Sequence, residues 1–387
     1  MTTTEDPTPV PERARSRWGP FAGEGALIPI VATAVVFLVV GERWLVILPD
    51  VVVASFTFAW LLGMILLGSL SVVRHAEDLA ELLGEPYGTL ILTLSVATIE
   101  ITTLGIVMTT GEPNPQLARD TMFSVVILCM NGLIGLSLIL GALRYKEQNY
   151  NLRGANAYLS VIVSLAVFGL VVPNYTFTTP GPTFSRPQET FLIIMCVGLY
   201  AVFLAIQTTR HRSFFIEQDE AIDEDREVKD PALPRDWAAV RRHVAFLVGY
   251  LVVVIYLVEK LAVLLDHGLE KLGAPPAFGA LVVAALVLAP EGLGGIQAAL
   301  ANRMQRAVNI LLGSVLATLA LTIPAVVIIG LVHHTDVILG LDSIEQSMLL
   351  LTLFVSTITY TSGRTNVLQG AVHIMLLLAF LMFIIWH

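Results

Sequence analysis

The sequence predicts an all-α integral membrane protein of about eleven transmembrane helices: two inverted five-helix repeats plus one peripheral N-terminal helix. Three observations carry this. Hydrophobic residues make up 56 % of the 387-residue chain and charged residues only 14 %, against about 25 % charged in soluble domains. The apolar residues gather into runs of roughly 20, the length that crosses a hydrocarbon core. Lysines and arginines crowd into alternate loops, the bias that orients a chain in a bilayer.

In order along the chain, residues 1–25 form a polar tail with Arg13, Arg15 and Arg17. It is long for a signal peptide and no small-residue cleavage site follows, so the first span is read as retained. The candidate spans are 26–47, 51–73, 87–110, 120–143, 155–173, 189–208, 243–265, 277–300, 306–332, 346–362 and 366–386. With the N-terminus in the cytoplasm, Arg43, Arg119, Arg186 and Lys271 face outward and Lys260 lies within a span. The other 17 of the 22 basic residues face inward. A missed span would reverse that bias partway along. The expected location is the cell inner membrane, multi-pass, with the C-terminus outside.

Residues 209–242 are the longest polar stretch. Glu217, Asp219, Glu220, Asp223, Glu224, Asp225, Glu227, Asp230 and Asp236, with Pro231 and Pro234, read as an acidic cytoplasmic linker. Asp223, Asp225 and Glu227 match the first, third and fifth places of a calcium-binding loop, but Val228 stands where such a loop needs glycine. The linker divides a first repeat, 51–208, from a second, 243–387, with 26–47 as the peripheral helix. Five spans is an odd number, so the second unit enters the bilayer from the opposite side. Inverted repeats of this kind are common in secondary transporters.

Two acids fall in mid-span. Glu100 lies in the second span of the first repeat and Glu291 in the second span of the second. An ionised carboxylate there costs at least ~2.5–3.5 kcal/mol on insertion scales, so it needs a partner, a proton or a cation. Inversion brings both to the midplane, where they face each other across the repeat interface. Pro290 precedes Glu291 and Gly292, Gly294 and Gly295 follow it. Proline frees a carbonyl, and hydroxyls at Ser95 and Thr98 flank Glu100. Such hard oxygens suit Ca²⁺ or Na⁺ rather than soft metals. The glycines also fit tight helix packing. In the next spans Asn131, Ser314 and Thr318 either complete a cation shell or bond between helices. Glu85 and Asp120, at span ends, either line a vestibule or are solvated. Glu259 and Lys260 are read as a local pair and His373 as packed or interhelical.

The remaining inventory narrows the function. Cys129 and Cys196 both lie in apolar segments and read as small buried hydrophobes, not a disulfide or a metal site. There is no Ser-His-Asp set and no His-Glu-x-x-His motif, which argues against an intramembrane enzyme. The expectation is a secondary active transporter in which a cation and protons compete for Glu100 and Glu291. A passive cation channel is the alternative, distinguished by whether a proton gradient drives uphill movement. The expected partners are the lipid bilayer, small cations and protons, with no resident cofactor and no nucleic acid. The sequence is silent on oligomeric state.

Several separated motifs carry a resemblance. They are the run Gly84-Glu85-Pro86-Tyr87-Gly88-Thr89-Leu90-Ile91-Leu92-Thr93-Leu94-Ser95, the segment Ala289-Pro290-Glu291-Gly292 with Ile296-Gln297-Ala298-Ala299-Leu300, and Gly313-Ser314-Val315-Leu316-Ala317-Thr318. These resemble the bacterial ChaA-type calcium/sodium–proton antiporters, in the CAX branch of the cation/calcium exchanger superfamily. Gly363-Arg364-Thr365-Asn366 with Gly370 resembles that branch's Gly-Lys-Ser-Asn…Gly segment. The resemblance covers most of the chain from about 60 onward. It implies ten core helices plus a peripheral one, an acidic loop between the sixth and seventh spans, and proton-driven cation export. Glu100 and Glu291 match the glutamates of the branch's Gly-Asn-Ala-x-Glu signature, Asn131 its first-half asparagine, and Gly313 and Ser314 its Gly-Ser pair. Ala97 and Leu288 replace the signature asparagines and Ala317 the usual glutamine, which leaves Ca²⁺, Na⁺ and K⁺ all open as cargo.

Overall fold

In the computed structural model the described residues are 24–47, 51–83, 87–110, 115–215, 236–272, 276–333 and 337–386. They form helices α1 (Leu27–Ile47), α2 (Val51–Leu83), α3 (Tyr87–Thr110), α4 (Leu117–Tyr145), α5 (Leu152–Leu170) and α6 (Arg186–Arg210). Then follow α7 (Trp237–Leu272), α8 (Pro276–Leu300), α9 (Met304–His333), α10 (Ser343–Thr359) and α11 (Val367–Ile385). Among the described residues there is no strand, only an isolated bridge between Asn149 and Arg364. By length and composition seven of these helices can cross a membrane: α2, α4, α5, α6, α7, α9 and α11. The bent α8 makes an eighth when its two segments are taken together.

Side-chain caps, not the onset of apolar residues, set several helix starts. Asn151 accepts from the Arg153 amide and begins α5 at Leu152 rather than at 155. The same helix stops before a 3₁₀ turn at Val172–Tyr175, which holds Pro173. Ser185 and Gln188 box the start of α6, and Asp342 and Glu345 that of α10, which begins at Ser343 rather than at 346. Asn366 and Gln369 do the same for α11. Helix α2 runs on past the expected end at 73 to Leu83, and α7 begins at Trp237, inside the stretch read as linker. Both extensions are more polar than the spans they prolong. The hydrophobic pattern ends before the helix does.

Three helices carry a wide turn: α6 ends in one, Ile206–Arg210, and α4 and α9 hold one within their length. Leu128–Leu133 in α4 and Thr318–Thr322 in α9 wind as π-helix. Such turns insert one extra residue and concentrate at functional sites. Apolar packing divides the molecule in two. A larger cluster draws on α3, through Leu104, and on α4, α5, α6, α8, α9, α10 and α11, with Phe123, Met130, Tyr158, Leu311 and Leu319 among its buried members. A smaller one joins α1, α2 and α7 through Ile30, Leu61, Ile65, Tyr250, Val254 and Leu257. Ile99 of α3 and Leu286 of α8 belong to the smaller cluster, so the two acid-bearing helices lie between the packed regions.

Candidate cation site

Glu100 is 3 % exposed, on the inward face of α3. Its Oε2 accepts a 2.8 Å hydrogen bond from Thr318 Oγ1, in the wide turn of α9. Its Oε1 is sealed and has no hydrogen-bond partner. Thr322, at the far end of that turn, faces the same carboxyl, yet its own Oγ1 is sealed and unbonded. Helix α8 bends by 54° between its segments Phe278–Ala289 and Glu291–Leu300. The break falls at Pro290, where the backbone lacks a donor. It delivers Glu291 at the bend, with Oε2 sealed and unbonded. The two carboxyls are close enough to act on each other electrostatically.

The glycines beside Glu291 serve close approach, the packing alternative of the sequence reading. A Cβ on Gly292 would lie 2.8 Å from Leu133 Cδ2, and one on Gly295 would lie 2.8 Å from Leu311 Cγ. Bare backbone at both positions lets α4 and α9 close on α8. Cys129 is buried here and donates its thiol to the Leu311 carbonyl at 3.3 Å, a packed hydrophobe as expected.

The other expected site residues divide. Thr318 meets Glu100 directly, and Ser314 sits one turn before it, half-buried on α9. Ser95 is buried on α3. Thr98 is placed otherwise: it is exposed, with its hydroxyl bonded back to the Leu94 carbonyl at 2.6 Å. Two residues are about 200° of helix, so Thr98 points away when Glu100 points in. Asn131 is fully buried, but its amide is spent between helices. Nδ2 donates to Thr352 Oγ1 at 2.8 Å, and Oδ1 lies 3.1 Å from His373 Nδ1, the donor there. His373 Nε2 then takes the Thr359 hydroxyl at 3.0 Å. The geometry therefore gives Asn131 and His373 the interhelical role.

Asp120 is neither a free vestibule wall nor a solvated acid. Its Oδ1 accepts from Arg119 Nε at 2.7 Å. Arg119, whose side chain is 2 % exposed, also donates to the Gly340 carbonyl at 2.7 Å and lies 3.6 Å from Asp342 and 3.7 Å from Glu345. One sealed guanidinium thus ties the start of α4 to the cap of α10. Glu85 lies outside the described residues. Lys260 pairs with its neighbour Glu259 at 2.9 Å, as read from sequence, and also sits over the Tyr256 ring.

Sequence reasoning missed Thr322, although it follows Thr318 by four residues, the spacing that keeps two side chains on one helical face. It also missed what Arg119 holds, because Gly340 lies 221 residues away. The assembled group, Glu100, Glu291, Thr318 and Thr322, offers only oxygen. Among buried side chains this suits a hard cation or a proton, and three of its oxygens have no protein partner.

The sequence pattern of the sodium/calcium exchanger protein family matches residues 53–209 and 242–386. The chain is 38 % identical over 359 residues to the sodium-potassium/proton antiporter ChaA of Escherichia coli, covering 92 % of this chain and 94 % of that one. Among solved structures it superposes on native YfkE with a TM-score of 0.69 at 18 % identity, over 93 % of this chain and 99 % of the other. It superposes on the H⁺/Ca²⁺ exchanger CAX with a TM-score of 0.67 at 14 % identity, over 94 % and 89 %. The chain belongs to the sodium/calcium exchanger protein family.

Proposed function

We propose that this family member is a proton-coupled cation antiporter in which Glu100 and Glu291 hold either one cation or protons. The observation that carries the reading is a pair of carboxyls in mutual electrostatic reach, each with one sealed oxygen and no protein partner for it. A charged group so placed is unfavourable unless something neutralises it. A divalent cation neutralises both at once, and protons neutralise them one by one, so the two loads exclude each other. Exchange follows if the site opens to a given side only when loaded. Thr318 orients Glu100 for either load by donating to one oxygen and leaving the other free.

The wider arrangement proposed is eleven transmembrane helices, with α1 peripheral and five-helix units before and after the acidic linker, inverted with respect to each other. The N-terminus is then cytoplasmic, the C-terminus outside and the membrane the cell inner membrane. The positive-inside count supports the orientation, and wide turns in both α4 and α9, the third span of each unit, support the pairing. Two carboxyls favour Ca²⁺ as the exported cation by charge. Na⁺ or K⁺ is the second reading, favoured by the name of the Escherichia coli relative. Ser314 and Ser95 are kept as further oxygen donors in other states of the cycle.

The deciding experiment is flux in proteoliposomes under an imposed pH difference, with Ca²⁺, Na⁺ and K⁺ supplied separately. The expected result is uphill accumulation of at least one of them, collapsing when the pH difference is collapsed. Downhill flux alone, indifferent to the proton gradient, would make the protein a channel.

A further inference from the structure

A second cluster of ionisable side chains lies where α2 packs on α7, well away in sequence from either acid. His75 of α2 is 2 % exposed, and its ring stacks on Phe246 of α7. Its Nδ1 lies 3.1 Å from His243 Nδ1 on α7. His243 Nδ1 is in turn 3.4 Å from Asp78 Oδ2. All three ligand atoms fall within 4.8 Å of one another. An ion of the zinc class, with tetrahedral bonds of about 2.0–2.1 Å, spaces neighbouring ligand atoms about 3.3–3.4 Å apart. The two shorter edges are already near that spacing. The third closes by rotation of Asp78, whose side chain is 42 % exposed.

The outer contacts select the right ring nitrogens. Glu24 Oε2 accepts from Arg74 at 2.9 Å and from the Tyr250 hydroxyl at 2.9 Å, and lies 3.2 Å from His75 Nε2. A carboxylate there keeps the His75 proton on Nε2, so Nδ1 presents its lone pair toward His243. Carboxylate–histidine pairs of this kind orient metal-bound imidazoles. Without a metal, His243 must carry its proton on Nδ1, between the His75 lone pair and Asp78. That leaves its Nε2 to face the Arg242 guanidinium at 3.4 Å. A cation entering among the three atoms replaces that single proton, which moves to Nε2 as Arg242 swings outward, and the ring stays neutral.

We infer that His75, Asp78 and His243 bind one divalent transition metal of the zinc class, clamping α2 to α7, with Glu24 as the outer carboxylate. Two imidazoles and one carboxylate suit Zn²⁺, Co²⁺ or Ni²⁺, whereas Ca²⁺ takes oxygen ligands. The site therefore differs in chemistry from the all-oxygen group around Glu100, and its occupation does not depend on the transport reading.

The test uses the full chain in detergent, stripped of metal, then titrated with Zn²⁺ and separately with Co²⁺. The expected result is one Zn²⁺ per chain and a Co²⁺ spectrum of four-coordinate type. Asp78→Asn and His243→Asn should each weaken Zn²⁺ binding about tenfold or more, and a roughly hundredfold excess of Ca²⁺ should displace none of it. His75 is buried and its variants risk misfolding, so the more accessible Asp78 and His243 carry the decision. No stoichiometric Zn²⁺ binding, or binding unchanged by either substitution, overturns the assignment.

Discussion

Two regions of this molecule bury charge, and they do so in opposite ways. Around Arg119 every demand is met: Asp120 and the Gly340 carbonyl at 2.7 Å each, with Asp342 and Glu345 just beyond. Around Glu100 and Glu291 the demand is left open, since one oxygen of each is sealed without a partner. A satisfied ion cluster holds structure, and breaking it leaves stranded charge. An unsatisfied pair of acids contributes no such stability, so its presence asks for a visitor. The first region should therefore report in stability and the second in flux.

The largest effect that sharpens this contrast is at the acids. Glu100→Gln and Glu291→Gln should each lower proton-driven cation flux in everted vesicles by about a hundredfold or more, equivalent to at least ~2.7 kcal/mol. Their thermal unfolding midpoints should match or exceed the parent's. Normal flux in either variant would reject the shared site. Next comes Arg119→Met, which strands Asp120 and should cost about 3–5 kcal/mol of stability, seen as a lower unfolding midpoint in detergent. Flux per folded molecule should persist. A variant that stays stable but loses flux would reverse the roles assigned to the two regions. Thr318→Val removes the side-chain donor at 2.8 Å from Glu100 Oε2, a bond worth roughly 1.5–3 kcal/mol for a charged acceptor. It should raise the cation concentration for half-maximal flux about 10- to 100-fold, with Thr318→Ser restoring most of it. The smallest effect is Thr98→Ala. Its hydroxyl is exposed and bonded only to its own helix, so flux and stability should stay within about 0.5 kcal/mol of the parent.

Much of this was legible in the chain. Glu100 and Glu291 stood out because carboxylates in mid-span are costly, and the structure buries Glu100 and seals one carboxyl oxygen of the half-buried Glu291. The Glu259–Lys260 pair needed only adjacency. Helical spacing already separates Thr98 from Glu100 and joins Thr322 to Thr318, a signal that composition around the acid obscured. Other features have no local signature. A π turn at Leu128–Leu133 has the same hydropathy as an α turn, since only the hydrogen-bond step differs. The partners of Arg119, and the meeting of His75 with His243 across 168 residues, depend on tertiary contact alone. The Asn151 cap of α5 and the capping box of α10 start these helices ahead of their apolar runs, because polar residues at a helix start belong to the helix without belonging to the membrane.

The wide turn in α4 also constrains what the gene can tolerate. Beyond it, Gly135 lies so near α11 that a Cβ there would come within 3.1 Å of His373 Cβ. Before it, Arg119 is anchored to the α10 cap. The turn already absorbs one surplus residue, so trimming a single codon within Leu128–Leu133 returns it to plain α-helix with both docking faces still in phase. The same deletion in the plain helix between Arg119 and the turn would twist one end by about 100° against the other. Either Gly135 or Arg119 would then face the wrong neighbour, so single-residue deletions should be tolerated better inside the wide turn than beside it.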